Sequence, residues 1–394
     1  MSGERGRYVE CAWEPNPGET KQQRRGGSYR AFLPAAIAAE EPTLASGTAA
    51  RAEAAAQAVR ELNADGAALV PLEGLGRLLL RSEALASSQI EGLSISNRKL
   101  ARAELEGEAG PYKAREILGA VHAMELAMEI GKATNPPSVA GIVRIHEALA
   151  IAPPLDRIAG QIRTEPSWIG GSTPLDAEYV GPPHEDVLPL LADLCEFMAR
   201  DDIGAIAQAA IAHAQFELIH PFGDGNGRVG RCLIQVVLRR RGLAPCYSPP
   251  ISLVLGANKD AYIAGIHEFR QGKLDAWVDY FARAVERASM QAKEFSESVV
   301  ELQSEWRKRV QPARADSAVF PLIEILPRLP IISAAVAERE IGRSRPVTIE
   351  ALSRLAEIGA LTRHRNQKRG DSWEAKQLFG LLDEFEDAAR LAAT

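Results

Sequence analysis

The chain has 394 residues, more than one ordinary hydrophobic core holds, so two or three domains are expected. Hydrophobic residues make up 46% of it and charged residues 25%, as in a soluble globular protein. The formal net charge of -6 argues against a nucleic-acid coat protein, although a local basic patch is compatible with it.

The sequence carries no sign of export. The segment from Met1 to Arg7 lacks the apolar stretch of a secretory signal. No run approaches the ~20 apolar residues that span a bilayer, so no membrane association is expected. The cysteines are far apart without a Cys-x-x-Cys pair, which favours neither disulfides nor a zinc site; they are Cys11, Cys195, Cys232 and Cys246. A cytoplasmic location is expected.

The first part of the chain alternates between irregular and helical segments. Residues 1–30 are polar and glycine-rich and are expected to be irregular. Ala- and Leu-rich composition and apolar residues at helical spacing predict helices over 35–62, 72–85 and 138–150. Residues 160–183 break this pattern, because two short extended stretches flank Thr173-Pro-Leu-Asp176. This segment is a short hairpin, either an ordinary surface hairpin or a flap over a site.

Helical character resumes at Glu185 and continues to His220. Beyond the stretch that begins there, apolar residues at i, i+3, i+4, i+7 and i+8 predict one buried helix face, namely Val229, Cys232, Leu233, Val236 and Val237. Three arginines and Gly242 end that helix. Residues 220–231 therefore form a loop between two core helices.

The C-terminal part is also helical. Residues 276–309 are typical of one or two long helices, and 311–317 are typical of a linker. Short helices are predicted at 333–340 and 348–358, separated by a turn at 342–346. A basic extended segment follows. The overall class is mainly α.

The stretch His220-Pro-Phe-Gly-Asp-Gly-Asn-Gly-Arg-Val-Gly-Arg231 carries the chemistry. Backbone N–H groups of a glycine-rich turn and a following helix N-terminus bind anions, so a phosphate site is predicted. Asp224 supplies an oxygen ligand suited to Mg²⁺. Arg228 and Arg231 lie on one helix face and fork onto phosphate oxygens. His220 titrates near neutral pH and is the candidate general base.

Simpler interpretations exist for each part. A histidine at a helix end is usually packed or solvated, and Gly-Asn-Gly is usually a turn. Asp224-Gly-Asn-Gly also matches part of a calcium loop, but the twelfth position is Gln235 where that loop needs Glu, so the calcium interpretation is weak. The combination is more specific than its members and favours nucleotide chemistry.

The stretch resembles the signature of Fic-domain proteins, His-x-Phe-x-(Asp/Glu)-Gly-Asn-Gly-Arg-x-x-Arg, with every fixed position filled. The resemblance implies transfer of AMP from ATP to a protein hydroxyl. By it, His220 is the base, Asp224 holds Mg²⁺, and the nucleotide is bound by Gly225, Asn226, Gly227, Arg228, Val229, Gly230 and Arg231. Relatives that transfer phosphate replace the end of Gly-Asn-Gly with lysine, so Gly227 favours AMP transfer.

The resemblance extends beyond the signature. The family carries a β-hairpin flap that clamps the target residue, and the similar segment here offers Ile169, Gly170, Gly171 and Ser172. Tyr262 stands where the family often has a tyrosine pair in the nucleotide pocket, although its neighbour here is Ala261.

Ser87-Ser-Gln-Ile-Glu91-Gly92 resembles the family's inhibitory motif. By the resemblance, Glu91 pairs with Arg231 and occupies the γ-phosphate position, so that ATP binds with its α-phosphate misaligned. The simpler interpretation is that Ser87 caps a turn and Glu91 is solvated.

The C-terminal unit resembles the winged helix-turn-helix found on many Fic proteins. Seven Lys/Arg and two acidic residues lie between Arg343 and Arg369. Two interpretations are open, DNA binding and a protein-interaction or dimerisation module. The candidate DNA contacts are Arg343, Arg345, Arg354 and Arg365.

The expected domains are an N-terminal helical region (1–130) with the inhibitory motif, a Fic core (131–290), a helix and linker (291–317) and a winged helix-turn-helix (318–394). The resemblance implies an autoinhibited protein adenylyltransferase acting on Ser, Thr or Tyr hydroxyls and on itself, with ATP as substrate, Mg²⁺ as cofactor and a homodimer as one candidate state. Two alternatives stay open: an enzyme that also removes AMP, and a DNA-binding regulator with a nucleotide-sensing core.

Overall fold

A computed structural model describes residues 3–14, 26–69, 72–107, 111–365 and 370–391. Its contacts divide the chain into two compact units. The first contains Met1–Ala56, His122–Leu243 and Lys259–Ala284, and the second contains Gln57–Val121, Ala244–Asn258 and Val285–Thr394. The described residues are mainly helical with small sheets, which confirms the predicted fold class. None of their helices is long and apolar enough to cross a bilayer.

The elements follow one another along the chain as follows. They are β1 (Gly6–Trp13), β2 (Gly27–Pro34), α1 (Ser46–Leu69), α2 (Leu72–Ile90), α3 (Asn97–Glu106), α4 (Tyr112–Lys132), α5 (Val139–Leu149), β3 (Trp168–Ile169), β4 (Tyr179–Val180), α6 (His184–Ala199), α7 (Ala205–Ile219), α8 (Asn226–Arg240), α9 (Ile251–Ala257), α10 (Lys259–Arg270), α11 (Leu274–Arg309), α12 (Val319–Ile325), β5 (Ile331–Ser333), α13 (Ala334–Ile341), α14 (Arg345–Glu357), β6 (Thr362–His364), β7 (Ser372–Glu374) and α15 (Lys376–Leu391).

The N-terminal prediction is wrong for the described part of residues 1–30. Strands β1 and β2 pair antiparallel from Gly6 opposite Pro34 to Trp13 opposite Gly27, and residues 15–25 lie outside the described residues. The Tyr8 and Phe32 rings meet edge to face at 5.3 Å. Cross-strand pairs of this kind stabilise a sheet through partners distant in sequence, which local composition does not reveal.

The helix predicted over 35–62 starts eleven residues late, at Ser46. The reason lies in the backbone N–H groups before it, which are bonded to carboxylates from elsewhere in the first unit. Asp193 accepts from Ile37 at 2.6 Å and Ala38 at 3.0 Å, and Asp275 accepts from Ala45 at 2.8 Å. These bonds replace the helical ones.

The helical run predicted from Glu185 to His220 is two helices, α6 and α7, separated at residues 200–204. Gln208 on α7 closes the gap, because its Nε2 donates to the carbonyls of Phe197 and Arg200 at 2.9 Å each. The α7 helix is buried along nearly its whole length and packs against α8 in the first unit. Gly230 permits this approach, since a Cβ there would stand 3.0 Å from Phe216 Cδ1.

The second unit has its own core, in which Phe295 of α11 stacks on Phe385 of α15 at 4.7 Å. Its three-stranded sheet has the order β5-β7-β6, with α13 and α14 inserted between β5 and β6. Winged helix-turn-helix remains an interpretation of this order, and residues 366–369 of the basic segment lie outside the described residues.

Helix α3 is attached to the C-terminal elements of the second unit by polar contacts. Asn97 Nδ2 donates to Glu386 Oε1 at 2.6 Å. Arg98 pairs with the buried Glu374 at 2.6 Å, and Arg102 lies 3.6 Å from the same carboxylate. The inhibitory-motif helix α2 belongs to this unit as well.

We expect Glu386→Gln to stabilise the protein at neutral pH. Burial raises the pKa of Glu386, although the Asn97 hydrogen bond and Arg390 oppose the shift. The carboxyl therefore contributes stability below its unfolded pKa of about 4.3, and this is lost as the pH rises above that value. Glutamine keeps the acceptor for Asn97 and carries no charge. The gain should appear as a higher denaturant midpoint at pH 7.

Denaturant unfolding at pH 7 and below pH 4 measures this gain. It should be present at pH 7 and absent at the lower pH. Glu384→Gln, on the exposed side of the same helix, is the matched control and should change little. An unchanged or lower stability of Glu386→Gln at pH 7 would contradict the expectation.

Candidate active site

The candidate base stands at a strained backbone position. His220 follows the last residue of α7 with φ 49° and ψ 62°, the only non-glycine residue among the described ones with positive φ. This left-handed conformation costs a non-glycine residue about 1–2 kcal/mol, so its surroundings must hold it.

The surroundings do so by satisfying the carbonyls at the end of α7, which have no partners within the helix. His220 supplies two donors itself, its N–H to Phe216 O at 2.9 Å and its Nδ1 to Glu217 O at 3.3 Å. The Tyr179 hydroxyl from β4 donates to Leu218 O. A carbonyl only accepts, so the proton of the neutral imidazole is on Nδ1, and Nε2 is the basic nitrogen.

Arg163 satisfies the remaining carbonyls of this turn. Its Nε donates to His220 O at 2.7 Å, and its Nη2 donates to Ile219 O at 3.3 Å and to Pro182 O at 2.7 Å. Its backbone N–H donates to Pro221 O at 2.9 Å. Burial lowers the pKa of Arg163 to about 10, so the side chain stays charged at neutral pH.

The glycine-rich loop is held from within by Asn226. Its amide accepts from Phe222 N–H at 2.9 Å and donates to Phe222 O at 2.8 Å. This side chain therefore fixes the turn, one of the roles that the sequence allows. Gly225, with φ 80°, precedes the first turn of α8, and a Cβ there would stand 2.9 Å from Leu149 Cδ2.

His146 of α5 holds the loop from outside. Its ring stacks on Phe222 with centroids 3.9 Å apart. Nδ1 accepts from Gly160 N–H at 3.0 Å, so the proton is on Nε2, which donates to Asp224 O at 3.1 Å. Burial lowers the pKa of His146 to about 4, so the ring is neutral at physiological pH.

The charged residues of the signature surround the start of α8. The Arg228 side chain is almost fully buried, and its Nη2 lies 3.8 Å from Oδ1 of Asp224, whose side chain is 63% exposed. Arg231 is among the largest buried side chains of the described chain. Guanidinium groups beside a helix N-terminus are groups that commonly bind phosphates in proteins.

The Asp224 carboxylate can serve as one ligand of Mg²⁺, but the protein alone does not supply a full set of metal ligands around it in the described part of the chain. Among the described residues no group of three or more His, Cys, Asp or Glu side chains gathers as a metal cluster. Mg²⁺ binds through one or two carboxylates together with substrate phosphates, so a single exposed carboxylate beside a phosphate site fits it.

Tyr262 of α10 packs against His213 of α7. Its hydroxyl lies 2.7 Å from His213 Nε2, and both side chains are buried. Burial, followed by the charge of Arg231, lowers the pKa of His213 to about 3. His213 is therefore a hydrogen-bonded core residue.

The predicted hairpin is present between β3 and β4, with Trp168 opposite Val180 and Ile169 opposite Tyr179. Gly170 and Gly171 have positive φ, and the Asp176 carboxylate accepts from Ser172 and Thr173, which lowers its pKa. Ile169 is 48% exposed. A cavity of about 550 Å³ beside this hairpin is lined by Trp13, Arg163, Trp168 and Gly223.

The segment that resembles an inhibitory motif ends α2 in the second unit, with Ser87 buried and Glu91 exposed. Leu93 N–H donates to Ser88 O at 2.9 Å, and Gly92 N–H donates to Gln89 O at 2.9 Å. This Schellman pattern needs a left-handed residue after the helix, which Gly92 supplies with φ 83°.

One candidate DNA contact has a structural role. The Arg354 guanidinium donates to Val310 O at 2.6 Å and also to Pro312 O, so it holds the end of α11. Arg343, Arg345 and Arg365 are exposed.

Local sequence patterns do not reveal the roles of Arg163, His146 and Tyr179. Each acts on a partner 39 to 78 residues away. His146 lies on the apolar face of the helix predicted over 138–150. This position predicts a helical residue but does not indicate its hydrogen-bond partner.

Comparisons with known proteins agree with the signature. Residues 136–238 match the Fic/DOC family model, and residues 49–129 match that family's N-terminal model. The chain is 34% identical over 163 residues to protein adenylyltransferase fic-1 of Caenorhabditis elegans, covering 41% of this chain and 30% of that protein. It is 32% identical over 99 residues to a probable protein adenylyltransferase of Aquifex aeolicus, covering 25% and 28%. The chain thus spans less than a third of the length of these relatives.

Solved structures share the fold. A Fic family protein from Desulfovibrio desulfuricans G20 matches with a TM-score of 0.53 at 20% identity, covering 85% of this chain and 98% of that one. A Fic domain containing signaling protein from Bacteroides thetaiotaomicron gives a TM-score of 0.51 at 18% identity, covering 63% and 97%. At these identities the likeness concerns the fold alone.

We expect the buried neutral His146 to make stability pH-dependent. The unfolded chain titrates it near pH 6.5 and the folded chain near 4. Between these values the unfolded state binds more protons, so the contribution is complete above about 6.5 and is lost as the pH falls toward 4. His146→Gln keeps an acceptor and a donor but does not titrate. Its melting temperature should therefore fall less than that of the wild type between pH 7 and pH 4.5.

Calorimetry across this pH range checks the expectation. The exposed His122 is the matched control, and His122→Gln should follow the wild-type curve. Parallel curves for the wild type and His146→Gln would show that His146 does not titrate on unfolding.

Proposed function

We propose that this chain, in which residues 136–238 and 49–129 match the two Fic/DOC family models, is an autoinhibited protein adenylyltransferase that transfers AMP from ATP to a Ser, Thr or Tyr hydroxyl. The observation that supports this most is the arrangement around residues 220–231. A base held at a strained helix end is followed at once by a glycine turn, a helix N-terminus and two buried arginines.

In the proposed reaction, Nε2 of His220 takes the proton of the acceptor hydroxyl. The hydroxyl oxygen forms a bond to the α-phosphorus of ATP, the bond from that phosphorus to the bridging oxygen of the β-phosphate breaks, and pyrophosphate leaves. The hydrogen bond of Nδ1 to Glu217 O supports this role, because it orients the ring and fixes the tautomer.

The phosphates would be held by the start of α8. Its first backbone N–H groups and the helix dipole favour anions, and Arg228 and Arg231 would neutralise the β- and γ-phosphates. Mg²⁺ held by Asp224 would neutralise further phosphate charge when bound. Gly227 leaves the turn without the lysine of phosphate-transferring relatives, which supports AMP transfer.

The hairpin β3–β4 would align the acceptor. Its exposed Ile169 and the backbone of Gly170, Gly171 and Ser172 offer apolar and strand-like contacts to an extended segment. The tight turn held by Asp176 keeps that edge in one shape. A hairpin that contacts the main chain of its target would accept several target proteins. We include self-modification in the proposal.

Inhibition would come from Glu91, with Ser87 and Gly92 shaping the end of its helix. Pairing of its carboxylate with Arg231 would remove the cation that the γ-phosphate needs. ATP would then bind with its α-phosphate out of line, which costs rate far more than affinity. Relatives that remove AMP would use the same glutamate to position water, so a bifunctional enzyme is part of this hypothesis.

We expect Glu91→Gly to raise AMP incorporation by at least tenfold, because a misaligned reacting phosphate costs on the order of 10²-fold in rate. Adding His220→Ala should remove nearly all of the incorporation, since general bases contribute about 10²–10⁴-fold. Incubation with α-labelled ATP and Mg²⁺, followed by counting of label on protein, measures both.

The matched control is Glu357→Gly, since Glu357 is exposed at the end of α14 and a glycine follows two positions later. It should leave labelling at the wild-type level. Equal labelling by the wild type and Glu91→Gly would refute inhibition, and full labelling by the His220→Ala double variant would refute the base.

A DNA-binding regulator is the second candidate, favoured by the exposed arginines at the start of α14. Arg343 and Arg345 flank the N-terminus of the helix that would read a DNA groove, and Val347 beside them is 44% exposed. ATP binding without label transfer in Glu91→Gly would favour this regulator over the enzyme.

A further inference from the structure

We propose that Arg163 is a positioning residue that holds the base His220 and the flap, residues 167–181, in one fixed relation. This inference rests on the proposed function, since it concerns the geometry of the same transfer. Neither the signature nor the flap contains Arg163, yet its side chain bonds to the backbone of His220 and to the residues that flank the flap, Glu165 and Pro182.

The Arg163 guanidinium donates two hydrogen bonds toward the base His220 and two toward the residues that flank the flap. On the base side, Nε donates to His220 O at 2.7 Å and Nη2 donates to Ile219 O at 3.3 Å. On the flap side, Nη2 donates to Pro182 O at 2.7 Å and Nη1 donates to Glu165 O at 3.0 Å. Arg163 is buried, with 8% of its surface exposed.

Two features of the base side need a cation at this place. The last carbonyls of α7 carry the negative end of the helix dipole, which a positive charge stabilises. The left-handed conformation of His220 also turns its carbonyl away from the helix, where only an outside donor reaches it. Arg163 meets both needs, and so it fixes the direction in which the imidazole leaves the backbone.

The base of the flap hairpin is held close to the Arg163 guanidinium by backbone hydrogen bonds. The Gly181 N–H donates to Ser167 O at 2.9 Å, which closes the hairpin beside β3 and β4. The backbone bridge between Ile162 and Phe222 joins the segment before the flap to the signature. A shift of Arg163 therefore moves the surface that aligns the acceptor relative to the base that deprotonates it.

Lysine cannot replace this arginine. A planar fork reaches four carbonyls in fixed directions, whereas an ammonium group is a single point with three donors. Arg163→Lys keeps the charge but loses the geometry. Errors of about 1 Å between reacting groups cost roughly 10²-fold in rate, so kcat should fall by about 10- to 100-fold.

A second variant disturbs the guanidinium without removing it. A Cβ on Gly181 would stand 3.2 Å from Arg163 Nη2, 3.5 Å from Ile219 O and 3.7 Å from His220 Cβ. Gly181→Ala should therefore push Nη2 by a few tenths of an ångström and lower kcat several-fold. This variant tests the proposal even if Arg163→Lys fails to fold.

The experiment compares these variants in full-length Glu91→Gly protein. It measures kcat and KM for AMP transfer, the pH–rate profile and the Kd for ATP. We expect the plateau of the profile to fall, while its midpoint and the Kd for ATP stay within about twofold. The matched controls are Arg157→Lys at an exposed arginine and Gly204→Ala, where a Cβ meets nothing within 4 Å.

Hydrogen exchange gives a readout that does not depend on activity. In Arg163→Lys, or in Gly181→Ala if the lysine variant does not fold, the amides of Glu178 and His220 should exchange faster together. The amide of Val229, bonded to Gly225 O at 3.0 Å within the signature helix, should not change. If the Glu91→Gly parent transfers no AMP, the proposed function fails. Faster exchange of both the Glu178 and the His220 amides would then still show that Arg163 couples the flap to the base.

Three results would overturn the proposal. One is wild-type kcat in folded Arg163→Lys. Another is a loss of ATP binding in proportion to kcat, which would make Arg163 a general structural residue. The third is faster exchange of the flap amide with no change at His220.

Discussion

The end of α7 is the constraint on which the rest of the site depends. A helix that stops inside a protein leaves carbonyls that water does not reach, and each needs a donor. Here every carbonyl from Phe216 to Pro221 has one, two of them from His220 and the others from Tyr179 and Arg163. The position of the candidate base is thus set by hydrogen bonding around its own backbone.

The glycine turn after His220 is held by side chains on two sides. In the proposed function its backbone N–H groups face phosphates, and side chains hold the turn in place. Asn226 bonds to Phe222 on the inner side, and His146 bonds to Asp224 O on the outer side. The neutral state of His146 matters, because a second proton on Nδ1 would face the Gly160 N–H, which is a donor.

Local signals explain which features the sequence predicted. The helix α8 and the turn before it follow from apolar spacing and glycine, both within a few residues, and they were predicted. The β1–β2 hairpin and the roles of Arg163 and His146 depend on partners that lie far along the chain, so no local pattern contained them. The wrong start of α1 has the same cause, since carboxylates from distant helices bind the preceding backbone.

The division of the chain into two units separates chemistry from its proposed control. The signature and the flap lie in the first unit, and the inhibitory motif lies in the second with the C-terminal elements. Within that second unit, α3 follows the motif closely and is bonded to Glu374 and Glu386. Glu374 also lies 3.0 Å from His364 on β6, so this strand and α3 share one carboxylate. Within this unit, the C-terminal elements are therefore bonded to the helix that follows the proposed inhibitory segment.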